Sequence, residues 1–390
     1  MNTAARYVLL VVVIVPLTDD LASSSQVALH SILSFTHEEY GRATSIGRLT
    51  GWTSSNNPYA VEDLQNYPTT PVPKYNVTRR ANATILMLAR NSDLEGAMRS
   101  VRELEDRFNV RYGYPWTFLN EEPFSEDFKR RVGNIVSGEA TFATIPHDHW
   151  FQPDSIDEEK AKAGREKMVN DNIIYGGSVS YRNMCRFNSG FFFRNPAVLN
   201  YRWYWRVEPD VHFHCDVDSD PFLYMEDHDK VYGFTITMYE YRATIPTLWE
   251  TVQNFMKEYP QYVSPDNAMA YMSEDGGKSY NLCHFWSNFE IADMDFWRGE
   301  AYTKYFEYLD QTGGFYYERW GDAPVHSIAA ALFARKDQIH FFDNIGYEHN
   351  PYTHCPKGQG LWERGHCSCK PERSFDYDGY SCMKQWDRIW

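Results

Sequence analysis

An α/β domain built on a mainly parallel sheet is predicted for the body of this 390-residue chain. Two observations predict it: strand-like apolar runs alternate with helical patterns from residue 82 onward, and an acidic turn follows a strand where such a sheet binds its ligands. The first run, Ala83-Thr-Ile-Leu-Met-Leu-Ala89, is continuously apolar, as a strand covered on both faces requires. Ser92 or Asp93 then caps a helical pattern that continues to Arg107. Trp116-Thr-Phe-Leu119 reads as a strand, residues 125–132 as a helix and Ala140-Thr-Phe-Ala-Thr-Ile145 as a further strand. Residues 158–172 form a charged helix, and residues 201–207 an aromatic strand that ends in Glu208-Pro209-Asp210. Residues 339–342 are again strand-like. No internal repeat, long linker or charge block interrupts residues 82–354, which are read as one domain.

The flanks read differently. Residues 1–17 contain an apolar run after Arg6 that is too short to span a bilayer of about 30 Å as a normal helix. It has the form of a signal h-region or a short signal anchor, and it is the only segment expected to meet a membrane. Residues 18–81, rich in Ser, Thr, Asn and Pro as far as Lys74, read as a stem. The sequons Asn76-Val-Thr78 and Asn82-Ala-Thr84 agree with a lumenal chain, with Asn76 the better acceptor because Asn82 leads into a strand. Four of the seven cysteines, Cys355, Cys367, Cys369 and Cys382, fall in residues 355–390 and read as a disulfide-stapled extension. A zinc site drawn from the same cysteines and His366 is the competing reading, although the spacing lacks the usual pair of CxxC motifs.

Charge excludes one class of partner. The formal net charge is −15, whereas binding to nucleic acid or to an anionic membrane surface needs clustered Lys and Arg. A phosphorylated ligand would therefore need its own local positive charge or a metal ion. The aromatic content, 28 Tyr, 24 Phe and 12 Trp, suits sugar-ring stacking as well as core packing.

Five places carry candidate chemistry. Proline cannot continue a central strand, so Glu208 and Asp210 sit on a turn at the sheet's carboxyl edge, where carboxylates are suited to Mn2+ or Mg2+; a solvated turn is the plain alternative. Asp216-Val-Asp218-Ser-Asp220 has calcium-like spacing but lacks the Gly and Glu of such a loop, and reads as a solvated turn. Glu290 ends the aromatic stretch His284-Phe-Trp-Ser-Asn-Phe-Glu290. A carboxylate there is costly to bury unless it is hydrogen-bonded in the core or used, for instance to stabilise an oxocarbenium-like transition state. Asp322 opens an apolar helix and reads as its cap, or as a carboxylate offered to a sugar hydroxyl; His326, in the first turn, reads as structural. His349, in Gly346-Tyr-Glu-His349-Asn-Pro351, is a possible nitrogen ligand.

Together with Tyr181-Arg-Asn-Met-Cys-Arg-Phe187, Tyr232-Gly-Phe-Thr-Ile236, Ile245-Pro-Thr-Leu-Trp-Glu250, residues 315–331 and residues 340–347, these segments occur in an order that closely resembles the fungal Golgi α-1,2-mannosyltransferases, over residues 82–369. The resemblance implies a GT-A fold with a Rossmann-like sheet, GDP-mannose as donor, a mannose-terminated glycan as acceptor, and Mn2+, or Mg2+ in its place, across the diphosphate. It assigns Glu208 and His349 to the metal, with Asp210 as a further candidate. Glu290 becomes a nucleophile or β-face carboxylate and Tyr181 a neighbour of the reacting centre. Arg90-Asn91-Ser92 matches a guanosine-binding loop, and Asp322 joins the donor-binding residues. Because the donor is α-linked and an α-1,2 product is too, the implied reaction retains configuration. The implied setting is the Golgi lumen, as a type II membrane protein, although the anchor is short and broken by Pro16. A non-catalytic mannan-binding or scaffold protein of the same fold is the alternative, and a two-carboxylate glycoside hydrolase the third reading.

Overall fold

The computed structural model describes residues 79–390; the N-terminal apolar run, the stem as far as residue 78 and the sequon at Asn76 lie outside the described residues. Strand β1 (Ala83–Leu88) is buried on both faces along nearly its whole length, which is why its sequence is apolar without alternation. Helix α1 (Leu94–Leu104) follows, burying Ala97, Val101 and Leu104 at helical spacing. The expected continuation to Arg107 exists but is rewound: Glu105–Asn109 is a π turn. The buried Glu105 within it accepts from Trp116 Nε1 and Asn109 Nδ2, both at 2.7 Å. Strand β2 (Trp116–Asn120), helix α2 (Glu126–Gly133) and strand β3 (Ala140–Thr144) repeat the unit. Ser125 caps α2 by accepting from the Phe128 N–H at 3.1 Å.

Helix α3 (Glu158–Asn170) is the expected charged helix, and α4 (Val179–Gly190) packs behind the sheet. The later elements are short: β4 (Trp203–Arg206), β5 (Val211–Phe213), β6 (Tyr232–Phe234), β7 (Thr237–Tyr239), α5 (Leu248–Glu258), β8 (Cys283–Phe285) and β9 (Glu290–Asp293). Helices α6 (Glu300–Gln311) and α7 (Asp322–Phe333) and strands β10 (Ile339–Phe341), β11 (Tyr347–His349) and β12 (Tyr352–His354) follow, with shorter helices between and after them.

Seven strands form one sheet in the order β10-β6-β9-β4-β1-β2-β3. All neighbouring pairs run parallel except those of β9, which is antiparallel to both β4 and β6. The pleat divides side chains between two cores. Ile85, Met87, Trp203 and Trp205 face α1 and α2, while Leu86 and Tyr204 face the side of α6 and α7. The expected α/β fold with a mainly parallel sheet is thus present. A small antiparallel sheet, β12-β11-β5, stands at its carboxyl edge.

The tail cysteines form disulfides, not a zinc site. Cys355–Cys369 closes a local loop, whereas Cys215–Cys367 and Cys283–Cys382 tie the tail to the α/β body. Trp386 then packs edge-on against Phe234 at 5.1 Å, and Ser381 bridges to Met238 in β7. Cys283–Cys382 spans 99 residues. Replacing both of its cysteines by serine is expected to cost about 2–5 kcal/mol, read as a lower midpoint in denaturant titration under non-reducing conditions. Two of the three carboxylates in Asp216-Val-Asp218-Ser-Asp220 are likewise occupied: Asp216 pairs with Arg107 at 2.7 Å and His366 at 2.9 Å, and Asp220 caps the helix Pro221–Asp227.

Candidate active site

The sheet's carboxyl edge is assembled by pairings between segments far apart in sequence. Antiparallel β9 starts where β4 ends, so Glu290 is the register partner of Arg206. Beyond β4, the Glu208-Pro209-Asp210 turn leads into β5, which pairs with β11 so that Val211 lies opposite His349. This brings the His349 imidazole beside the Glu208 carboxylate, Nε2 to Oε2 at 3.6 Å.

Arg206 organises the wall behind this pair. Its guanidinium is almost fully buried and donates to Glu208 Oε1 and Asp322 Oδ2, each at 2.6 Å. Asp322 Oδ2 also accepts from Ser287 Oγ at 2.8 Å. The capping role expected of Asp322 is not found: Gly321 occupies the N-cap position, Asp322 is the first helical residue, and its carboxylate faces Arg206 instead. Burial pushes the Glu208 carboxyl up, but Arg206 and His349 outweigh burial and hold it down at about 2. Glu208 is therefore an anion at any physiological pH. Burial lowers His349 while the Glu208 carboxylate raises it, and the net direction is upward.

Asp210 is not brought to this place. It adopts φ +62°, a left-handed conformation that Asp tolerates better than most residues. Its exposed carboxylate turns back onto α1 and pairs with Arg99. The turn thus delivers one carboxylate, not two.

Glu208, His349, Arg206 and Asp322 line a cleft of about 430 Å³, a volume typical of small-ligand sites. Tyr181, at the start of α4, lines it too; Tyr175 stacks on one side of the ring at 4.5 Å, and the Arg319 guanidinium lies over it at 5.1 Å. Burial pushes the Tyr181 phenol well up, so it stays protonated. Arg90, Asn91 and Ser92 follow β1 at the same edge but do not line the cleft. Arg90 donates to Ser180 Oγ at 2.7 Å, next to Tyr181. Asn91 donates to Glu122 and to the Pro123 carbonyl, both at 3.1 Å, and Ser92 stays local to Asp93.

The donor set fits a divalent cation only in part. Among the described residues no group of three or more His, Cys, Asp or Glu side chains could hold one. The 3.6 Å between Glu208 Oε2 and His349 Nε2 is too long for a hydrogen bond, yet less than two metal–ligand bonds of about 2.1 Å. One carboxylate and one imidazole fit a cation that takes its remaining ligands from phosphate and water.

Glu290 occupies a different environment. Its side chain is fully buried, and both oxygens are engaged. Tyr204 OH donates to Oε2, and itself accepts from Trp297 Nε1 at 3.1 Å. Oε1 faces Tyr232 OH at 3.4 Å and His326 Nδ1 at 2.8 Å. His326 Nε2 lies 3.0 Å from the Asn188 carbonyl, which can only accept, so Nε2 carries hydrogen. A further proton must then sit between Nδ1 and Oε1, as an imidazolium–carboxylate or an imidazole–carboxylic acid pair. Glu290 lines a cavity of only about 10 Å³, with Arg206 in its wall, and does not line the large cleft.

Sequence reasoning missed Arg206, Arg319, Ser287 and Tyr204. One signal was available: an arginine inside the aromatic strand Trp203–Arg206 must be paired if it is buried.

Comparison with known proteins agrees over most of the chain. The family model described as glycolipid 2-alpha-mannosyltransferase matches residues 51–389. The glycolipid 2-alpha-mannosyltransferase 2 of Candida albicans is 55% identical over 307 residues, covering 79% of this chain and 67% of that protein. The alpha-1,2 mannosyltransferase KTR1 of Saccharomyces cerevisiae is 50% identical over 323 residues, 83% of this chain and 82% of its own. Among solved structures, core-mannan synthase A from Aspergillus fumigatus in its Mn/GDP form superposes with a TM-score of 0.75 at 41% identity, covering 80% of this chain and 85% of that one. The S. cerevisiae mannosyltransferase Ktr4p in complex with GDP gives a TM-score of 0.76 at 44% identity, covering 80% and 82%. This chain belongs to the glycolipid 2-alpha-mannosyltransferase family.

Proposed function

We propose that the protein is a retaining α-1,2-mannosyltransferase that moves mannose from GDP-mannose to the 2-OH of a mannose-terminated glycan. The observation that carries this reading is the Glu208–His349 pair, set against Arg206 and Asp322 in one cleft at the sheet's carboxyl edge. Glu208 and His349 would hold Mn2+, or Mg2+ in its place, which when bound neutralises the charge of the departing diphosphate. Asp210 is left out of the set because Arg99 engages it outside the cleft. The Arg90-Asn91-Ser92 loop is assigned to the guanosine. Asp322 accepts from Arg206 and Ser287 through Oδ2, which leaves Oδ1 for a sugar hydroxyl.

Retention has two routes, attack by Glu290 or entry of the acceptor on the leaving-group face. The burial of Glu290 and the engagement of both its oxygens favour the second. Glu290 then stabilises positive charge near the anomeric carbon, and the departing phosphate oxygen takes the acceptor's proton, so no separate general base is needed. Tyr181, held as a neutral phenol, can donate to or accept from groups at the reacting centre.

We place the enzyme in the secretory pathway, in the Golgi lumen, with residues 1–17 as signal segment or anchor, 18–81 as stem, 82–354 as the catalytic domain and 355–390 as its disulfide-tied extension. No helix among the described residues is long and apolar enough to cross a membrane. Incubation with GDP-mannose, Mn2+ and methyl α-mannoside is expected to release GDP and yield an α-1,2-linked disaccharide. Acceptor binding without GDP release would support the scaffold alternative, mannose release without any nucleotide would indicate a hydrolase, and another linkage would overturn the specificity.

A further inference from the structure

The cleft's positive charge is unevenly spent. Two arginines line it, Arg206 and Arg319. Arg206 is neutralised by Glu208 and Asp322. Arg319 is 5% exposed, its Nε has no partner, and its guanidinium makes no ion pair or hydrogen bond among the described residues. Its contact with the Tyr181 ring is a cation–π contact at 5.1 Å.

The carboxylates nearby make their hydrogen bonds to groups other than Arg319. Asp322 serves Arg206 and Ser287. Glu318 accepts from Thr247 Oγ1 at 2.8 Å and from Trp320 Nε1 at 2.6 Å. Glu240 lines the cleft but turns Oε1 to the Tyr241 N–H at 2.7 Å. The backbone, by contrast, is fixed: Arg319 N–H donates to the Thr244 carbonyl at 3.1 Å, and the Glu318 carbonyl accepts from the buried Arg182 at 2.9 Å. Arg319 is thus held in place without a direct ion-pair partner among the described residues, in a chain whose net charge is −15. Burying an unpaired cation is costly, and the cost is recovered when an anion arrives.

We infer that Arg319 is the anion-binding residue of the cleft, donating to the diphosphate of the nucleotide-sugar and to the phosphate that departs. The inference rests on the mannosyltransferase reading, in which the diphosphate is the anionic reactant and both sugars are neutral. A planar guanidinium matches phosphate oxygens two at a time, and its charge-assisted bonds strengthen as negative charge builds on the leaving group. Because Arg319 also covers the Tyr181 ring, the same residue ties the diphosphate's position to the wall beside the transferred sugar.

Titration calorimetry with GDP in Mn2+ buffer tests this on the wild type and on Arg319→Met and Arg319→Lys. Arg319→Met is expected to weaken GDP binding by about 10- to 100-fold, with Arg319→Lys between it and the wild type. The melting temperature without ligand should not fall in Arg319→Met, since an unpaired buried charge has been removed, and the KM for methyl α-mannoside at saturating donor should stay unchanged. Unaltered GDP affinity in Arg319→Met would overturn the assignment, as would a raised KM for methyl α-mannoside with GDP affinity intact, or a loss of affinity accompanied by a lowered melting temperature without ligand. A wild-type protein that binds no GDP would defeat the mannosyltransferase reading itself, so the two failures are told apart.

Discussion

Glu208→Ala is expected to lower Mn2+-dependent mannosyl transfer by at least about a thousandfold in kcat/KM. Charge stabilisation by a bound metal is worth several kcal/mol, and each 1.36 kcal/mol is about tenfold in rate. The cleft wall should survive, because Arg206 retains Asp322 when Glu208 is gone. What is lost is Oε2, the oxygen 3.6 Å from His349 Nε2, leaving one imidazole where a carboxylate and an imidazole stood. Titration of GDP-mannose turnover against Mn2+ reads the effect. Asp210→Ala is the matched control: its carboxylate pairs with Arg99 outside the cleft, so the Mn2+ response should not move. Turnover that persists without Mn2+ in Glu208→Ala would sink the metal assignment, and a shifted response in Asp210→Ala would restore that residue to it.

The Asp210 result shows what local sequence can and cannot convey. Pro209 stops the strand, and the turn follows from that alone. Which way each carboxylate then points depends on a positive φ at Asp210 and on the place of Arg99 on α1, neither of which the turn sequence encodes. The same division runs through the fold. Strands β1 to β3 and helices α2 and α3 were legible because apolar continuity and capping residues act within a few positions. Strand β9, four residues long, was not, since an apolar stretch that short has no period of its own. Its antiparallel insertion between β4 and β6 nonetheless decides where Glu290 lies.

The candidate site was legible in parts, and its assembly was not. Glu208 and His349 were joined at one metal by the resemblance and not by local pattern, because their proximity depends on β5 pairing with β11 across a long separation. Asp322 was read as a helix cap because it opens a helix. Gly321 takes that position, and the deciding factor is the buried Arg206, whose second charge partner no local pattern reveals. For Glu290 the two readings, a hydrogen-bonded core carboxylate and a charge for catalysis, are both compatible with what surrounds it. They are separated only by a substitution that keeps the bonds to His326 and Tyr204 and removes the ionisable carboxylate.

Glu290→Gln is that substitution. In the wild type a proton is shared between His326 Nδ1 and Glu290 Oε1, while Tyr204 OH donates to Oε2. A glutamine can donate from its amide nitrogen to a neutral His326 Nδ1 and accept from Tyr204 through its oxygen, with His326 Nε2 still donating to Asn188. The short bonds to His326 and Tyr204 are then kept, and only the long contact with Tyr232 OH at 3.4 Å must reverse, with the amide donating, so stability should change by about 1 kcal/mol or less. Glu290→Ala, in contrast, leaves the Tyr204 hydroxyl without its acceptor in the core and is expected to cost about 1–3 kcal/mol for the unsatisfied groups, beyond the cavity it opens. The charge is a separate matter. If Glu290 stabilises the developing oxocarbenium ion, Glu290→Gln should lower kcat on the order of a hundredfold, leave GDP affinity unchanged and keep the melting temperature close to that of the wild type. Intact-mass spectrometry of rapidly quenched wild type should find no mannosylated enzyme, since neither carboxylate oxygen is free and the adjoining cavity of about 10 Å³ admits no sugar. A mannosyl adduct on Glu290 would establish the double displacement instead. Near-native kcat in Glu290→Gln would remove both roles and leave Glu290 as the hydrogen-bonded core of β9, with the positive charge answered from the cleft side alone.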